Sequence, residues 1–189
     1  SWSVIPWIEG EEAVSSPPAD ADVDRFVAFL RALHQPAPAD APENPVRGVP
    51  LVERREAIEG WLEDLRSDTS VVSPAIERAW QDALAAPVAE TDVWLHGDLH
   101  PRNVLVDGGR FAAIIDWGDV TSGDAACDLA SIWMLFEDPA VRAAALDRYG
   151  ADDALRRRAV GSAIGFAAIL LATGRRDAPL HARIGETTF

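Results

Sequence analysis

The chain has 189 residues, of which 48% are apolar, enough for one substantial core and too apolar for a disordered chain. Its 31 acids against 17 bases give a net charge of −14, which excludes a general nucleic-acid binder, because phosphates demand a basic surface. Cys127 is the single cysteine, so there is no disulfide framework; no signal peptide is visible, and the composition points to the cytoplasm.

The N-terminal run Trp2-Ser3-Val4-Ile5-Pro6-Trp7-Ile8 is apolar and extended in character. Residues 20–34 carry Val23, Phe26, Val27, Leu30 and Leu33 at helical spacing. Residues 35–50 are rich in proline and polar residues and read as a loop, a candidate flap over an acceptor site. Helices are expected over 51–66 and 74–86. Val104-Leu105-Val106 and Phe111 to Ile115 flank Asp107-Gly108-Gly109, a strong hairpin signal. Further helices are expected near 126–136, 139–148 and 152–174. The stretch Ala159 to Thr173 is interrupted by Gly161, Ser162 and Gly165 and reads as a buried helix rather than a membrane span. The fold class is α+β, mostly helical around one β element.

Chemistry concentrates in His96-Gly97-Asp98-Leu99-His100-Pro101-Arg102-Asn103 and in Ile114-Ile115-Asp116-Trp117-Gly118. The hairpin brings Asn103, just before its first strand, toward Asp116, at the end of its second. Asn103 and Asp116 offer the oxygen ligands that Mg²⁺ prefers, and Asp98 is free to act as a base toward a hydroxyl. Phosphoryl transfer needs these parts and rigid placement.

These motifs resemble the catalytic core of the aminoglycoside phosphotransferase family, a branch of the protein-kinase-like fold. His96-Gly97-Asp98 through Asn103 is similar to the kinase catalytic loop, and Ile115-Asp116-Trp117-Gly118-Asp119 to the metal-binding element that follows it. The resemblance implies that Asp98 is the catalytic base and that Asn103 and Asp116 bind Mg²⁺. It also implies that Asp128, in Gly123-Asp124-Ala125-Ala126-Cys127-Asp128-Leu129-Ala130, braces the loop. A carboxylate before an apolar helical run is in addition a good N-cap. His96 is expected to be structural. His100 either contacts the γ-phosphate beside Asp98 or is a satisfied surface histidine. Arg102 reads as a phosphate contact or, more in keeping with its position, a solvated charge, and Asp119 as a supporting acid or a turn residue.

By the same resemblance, residues 1–10 are the end of a small-lobe strand and the hinge, and 11–189 are the helical C-terminal lobe. That lobe carries the catalytic loop at 94–106 and the metal element at 114–119. Backbone at Pro6, Trp7 and Ile8 then reads the adenine edge of ATP, and Leu105 and Ile115 form an apolar floor beneath it or simply pack the core. The chain contains no lysine, so the lysine and glutamate that anchor ATP phosphates in the family must come from a small lobe outside these residues. The acceptor is expected to be a small-molecule hydroxyl, aminoglycoside-like or a related metabolite, and Glu137 and Asp138 are candidates for receiving ammonium groups. Two other classes stand beside this one. One is a kinase-like binding module without catalysis. The other is a metal-dependent phosphoesterase using His96-x-Asp98-x-His100.

Overall fold

A computed structural model describes residues 6–189. Helix α1 (Val23–Leu33) forms as its periodicity predicts, with Val23, Phe26, Val27 and Leu30 buried. Helices α2 (Leu51–Asp68) and α3 (Pro74–Leu84) follow. The start of α3 is set locally: Ser73 Oγ accepts from Ile76 N at 3.3 Å, and Pro74 sits where a helix needs no N–H. The hairpin is β3 (Val104–Asp107) and β4 (Arg110–Ile114), joined through Gly108 and Gly109, both with positive φ. Its outer neighbour is β1 (Glu11–Glu12), which pairs antiparallel with β3, setting Glu12 opposite Leu105.

A second sheet is absent from the sequence reading. Strands β2 (Val93–Leu95) and β5 (Thr121–Gly123) pair antiparallel on either side of the hairpin in sequence. Three residues each is too short for a period-2 pattern to register. The pair brackets the catalytic loop and the metal element, so both leave from one small platform.

The expected helix over 126–136 is divided into α4 (Ala126–Leu129) and α5 (Ser131–Leu135), followed by α6 (Pro139–Tyr149), α7 (Asp153–Asp177) and α8 (Pro179–Thr188). Asp138 caps α6 through Ala140 N at 2.7 Å, and Asp152 caps α7 through Leu155 N at 2.7 Å. Helix α7 is buried over much of its 25 residues, as expected. No helix among the described residues is long and apolar enough to cross a membrane. Helix α8 was not expected, because its apolar content is low. It docks by close approach: a Cβ at Gly174 would lie 2.3 Å from Ala182 N, and one at Gly185 would lie 2.6 Å from Leu171 N. Asp128 is also not the N-cap. It is the third residue of α4, fully buried, and the capping acid is Asp124, whose Oδ1 accepts from Ala126 N at 3.0 Å.

The buried apolar residues gather in three clusters around these elements. Phe26 of α1 stacks on Phe111 of β4 with ring centroids 4.8 Å apart, and both meet Phe136. Leu99 of the catalytic loop is buried with Leu129, Ile132 and Val104, so the loop is rooted in the core. A second cluster of Ile58, Leu62, Leu65 and Trp80 packs α2 and α3 on Ile164 and Leu171 of α7.

Candidate active site

The catalytic loop leaves β2 through His96 and Gly97, and both backbone amides are held by one buried carboxylate. Asp128 Oδ2 accepts from His96 N at 2.7 Å and Oδ1 from Gly97 N at 3.0 Å. His34, at the end of α1, reaches Asp128 Oδ2 at 3.3 Å and Tyr149 Oη at 2.8 Å. Gly97 has φ +85°, and a Cβ there would lie 2.5 Å from the Asp119 carbonyl, so only glycine fits this turn. His96 is structural: its Nδ1 accepts from Asp98 N at 3.2 Å, which leaves Nε2–H to donate to Ile115 O at 2.9 Å. Both ring nitrogens are thereby committed. His96, Asp98 and His100 do not present three ligands to one point, and no group of three or more His, Cys, Asp or Glu side chains among the described residues suits a metal ion. The geometry therefore weighs against the phosphoesterase reading.

Asp98 and Asn103 are in contact, and Asp116 follows the hairpin residue that bonds to Asn103. Asn103 Nδ2 donates to Asp98 O at 2.8 Å and lies 3.5 Å from Asp98 Oδ2. Its backbone oxygen accepts from Ile115 N at 2.9 Å, which ties the loop to the end of the hairpin. The next residue, Asp116, is exposed and takes φ 60°, ψ 64°, the only non-glycine positive φ among the described residues. Such a conformation costs about 1–3 kcal/mol and tends to gather at functional sites. It turns the chain sharply at the point where a metal ligand is expected. The donor set suits Mg²⁺: one exposed carboxylate, and an amide whose nitrogen is already engaged so that its oxygen is the end left to face a cation.

The residues that form this arrangement place the chain among known proteins. The model of the phosphotransferase enzyme family matches residues 1–160. The chain belongs to that family. It is 31% identical over 173 residues to an aminoglycoside 3'-phosphotransferase of Streptomyces fradiae, covering 80% of this chain and 62% of that protein. A second relative of the same name, from Salmonella typhimurium, is 28% identical over 135 residues, 69% of this chain and 50% of that protein. The chain thus spans about half the length of such curated relatives. Among solved structures, the GDP complex of aminoglycoside 2'-phosphotransferase-IIIa aligns with TM-score 0.59 at 17% identity, over 96% of this chain and 67% of that one. A macrolide 2'-phosphotransferase type I aligns with TM-score 0.55 at 22% identity, over 87% and 57%. At these identities the structural likeness establishes the fold alone, a mostly helical arrangement of the protein-kinase-like kind.

Several residues sit differently from the sequence expectation. His100 is buried rather than on the surface; its Nε2 lies 3.5 Å from Asp98 Oδ2 and its Nδ1 accepts from Arg102 N at 3.2 Å. Arg102 is partly exposed and also paired: it donates to Glu12 at 3.3 Å and contacts His181 Nε2 at 3.0 Å. Glu137 and Asp138 line a depression with Trp133, Met134, Arg183 and Pro101 of the loop, and Asp138 also caps α6. Trp2 to Ile5 of the expected small-lobe strand lie outside the described residues. Pro6, Trp7 and Ile8 are exposed, Trp7 at 85%. Gly10, which follows them, lies against Leu105, and Ile115 is half-buried beside the metal element, so the hinge and hairpin candidates share one side of the lobe.

The residue that sequence reading missed is Arg47. Its Nη2 donates to Asp98 Oδ1 at 2.5 Å, its Nε lies 3.9 Å from Asp119 Oδ2, and its guanidinium sits 5.0 Å from the centre of the Phe166 ring. Asn44 shapes the turn that presents it, accepting from Val46 N and Arg47 N and donating to Asp119. The 35–50 loop is also tied down: Ser122 N and Thr121 Oγ1 bond to Pro42 O, and Asp124 N bonds to Gly48 O. An arginine in a proline-rich loop fifty residues from the motif carries no local signal. Burial alone raises the Asp98 carboxyl, but the hydrogen bond with His100 and the charge of Arg47 outweigh it and hold the group below the ordinary aspartate range.

Proposed function

We propose that this lobe carries the acceptor-activating and metal-binding half of an ATP-dependent phosphotransferase that acts on a hydroxyl of a small molecule. The observation that carries the reading is a candidate base, Asp98, on a core-rooted loop, with Asn103 and Asp116 joined to it through one hydrogen-bonded hairpin. Asp98 accepts the hydroxyl proton as the acceptor oxygen bonds to the γ-phosphorus, and the bond from phosphorus to the bridging oxygen breaks to leave ADP. Its low basicity suits late proton transfer, because the hydroxyl becomes acidic only as the new bond forms. Asn103 and Asp116 hold Mg²⁺, which when bound neutralises charge on the phosphate oxygens.

In this reading His100, buried with its Nε2 3.5 Å from Asp98 Oδ2, orients the carboxylate and contacts the γ-phosphate. Pro6, Trp7, Ile8 and Leu105 bracket the adenine, with Ile115 completing the floor. Phosphate anchoring by a lysine is supplied from outside these 189 residues, since none of their basic residues is a lysine. A relative's name, aminoglycoside phosphotransferase, gives the acceptor class to test first, and the lone buried thiol of Cys127 suits a cytoplasmic setting. The test is ADP release with a panel of hydroxylated small molecules, using the protein with its native upstream sequence. Turnover should fall by about 10²–10⁴ in Asp98→Ala. Unchanged turnover in that variant refutes the mechanism, and the absence of nucleotide turnover with every acceptor favours a binding module.

A further inference from the structure

A cleft adjoins Asp98 on the side of α2, and the phosphotransfer chemistry above makes no use of it. Ile58, Trp61, Phe166 and Ile169 form apolar walls, and the charged groups lining it are Arg47, Arg54 and Asp124. Asp124 is already closed by Arg158, whose Nε lies 2.6 Å from its Oδ2. Arg54 is half-buried and forms no ion pair among the described residues. Burial and then the nearby charge of Arg47 both work against its protonated form. In a chain with 31 acids and 17 bases, a cleft whose uncommitted charge is a guanidinium is the opposite of what overall composition would place there.

Arg47 links this cleft to the candidate base. Asp98 needs a free oxygen for the acceptor hydroxyl, yet Oδ1 holds Arg47 at 2.5 Å and Oδ2 faces His100 and Asn103 at 3.5 Å. A cationic acceptor that displaced Arg47 would leave it only the more distant Asp119, 3.9 Å from its Nε, and would give Arg54 no partner. An anionic group in the cleft does the reverse: it gives Arg54 a partner and offers Arg47 a second one, drawing it from Oδ1.

We propose that Arg54 and Arg47 form an anion subsite that receives a carboxylate or phosphate group of the acceptor, whose apolar body lies on Trp61 and Ile169. This rests on the phosphotransfer reading of Asp98. The acceptor is then a hydroxylated molecule bearing an anionic group, a different class from the polycations after which the relatives are named.

Three matched probes test it: 3-(hydroxymethyl)benzoate, 3-(hydroxymethyl)benzamide and 3-(hydroxymethyl)benzylammonium. Each is titrated calorimetrically, without nucleotide, into the protein with its native upstream sequence. The benzoate should bind about ten-fold tighter than the other two. That preference should disappear in Arg54→Gln, and Arg54→Glu should reverse the order of benzoate and benzylammonium. Circular dichroism checks that both variants are folded. Equal or tighter binding of the benzylammonium, a benzoate preference that survives in folded Arg54→Gln, or no binding of any probe overturns the proposal. ADP release with the same probes is read separately: benzoate binding without turnover leaves the subsite standing and counts against the phosphotransfer reading.

Discussion

Replacing Asp128 by alanine should both destabilise the lobe and disable its catalytic loop. The Asp128 carboxylate is fully buried and accepts from His96 N, Gly97 N and the His34 ring. Alanine leaves two buried backbone N–H groups without an acceptor, each costing about 1–3 kcal/mol. The relief of burying a charge offsets part of this, and removing one member of a buried polar cluster costs about 3–5 kcal/mol in all. At this chain length, each kcal/mol moves the melting midpoint by roughly 2–4 °C, so the expected drop is on the order of 6–20 °C. Asp128→Asn keeps one accepting oxygen and should lose about half as much. Urea unfolding followed by circular dichroism measures the stability. In the phosphotransfer assay, a loop displaced by about 1 Å costs roughly 10² in kcat. A loss below about 1 kcal/mol in Asp128→Ala would refute the inference that this carboxylate holds the loop.

Other expectations follow from the same network. Arg158→Met leaves Asp124 buried without its ion-pair partner and should cost about 3–5 kcal/mol, whereas joint replacement with Asp124→Leu should recover much of it, as urea unfolding will show. Tyr149 is the single tyrosine, and burial, followed by the charges of Asp128 and Asp124, pushes its phenol up to about 12. The unfolded chain ionises this group first, near pH 10, so its contribution to stability is lost as pH rises from about 10 to 12. Absorbance at 295 nm should therefore titrate near 12 in the folded protein and near 10 in urea. Cys127 is pushed up to about 12 by burial and by Asp128, so it should resist Ellman's reagent at pH 8 until the chain is unfolded. Fast labelling of the native protein would refute that.

Much was legible from local order. The amphipathic period of α1, the Ser73-Pro74 start of α3 and the glycine turn of the hairpin are decided within a few residues. The tie between the loop and the end of the hairpin is legible for the same reason, because the two are contiguous and Ile115 N closes on Asn103 O. Strands β2 and β5 were not, because three residues become a strand only when a distant partner supplies the hydrogen bonds. Helix α8 docks on α7 through Gly174 of α7 and its own Gly185, and Asp128 acts by burial among backbone amides rather than by capping, two outcomes set by tertiary contacts. The residues themselves specified the chemistry that this lobe can offer. Only the tertiary structure put Arg47 on Asp98, and with it a second arginine beside the acceptor side, since a long-range ion pair has no sequence period and depends on where two loops meet.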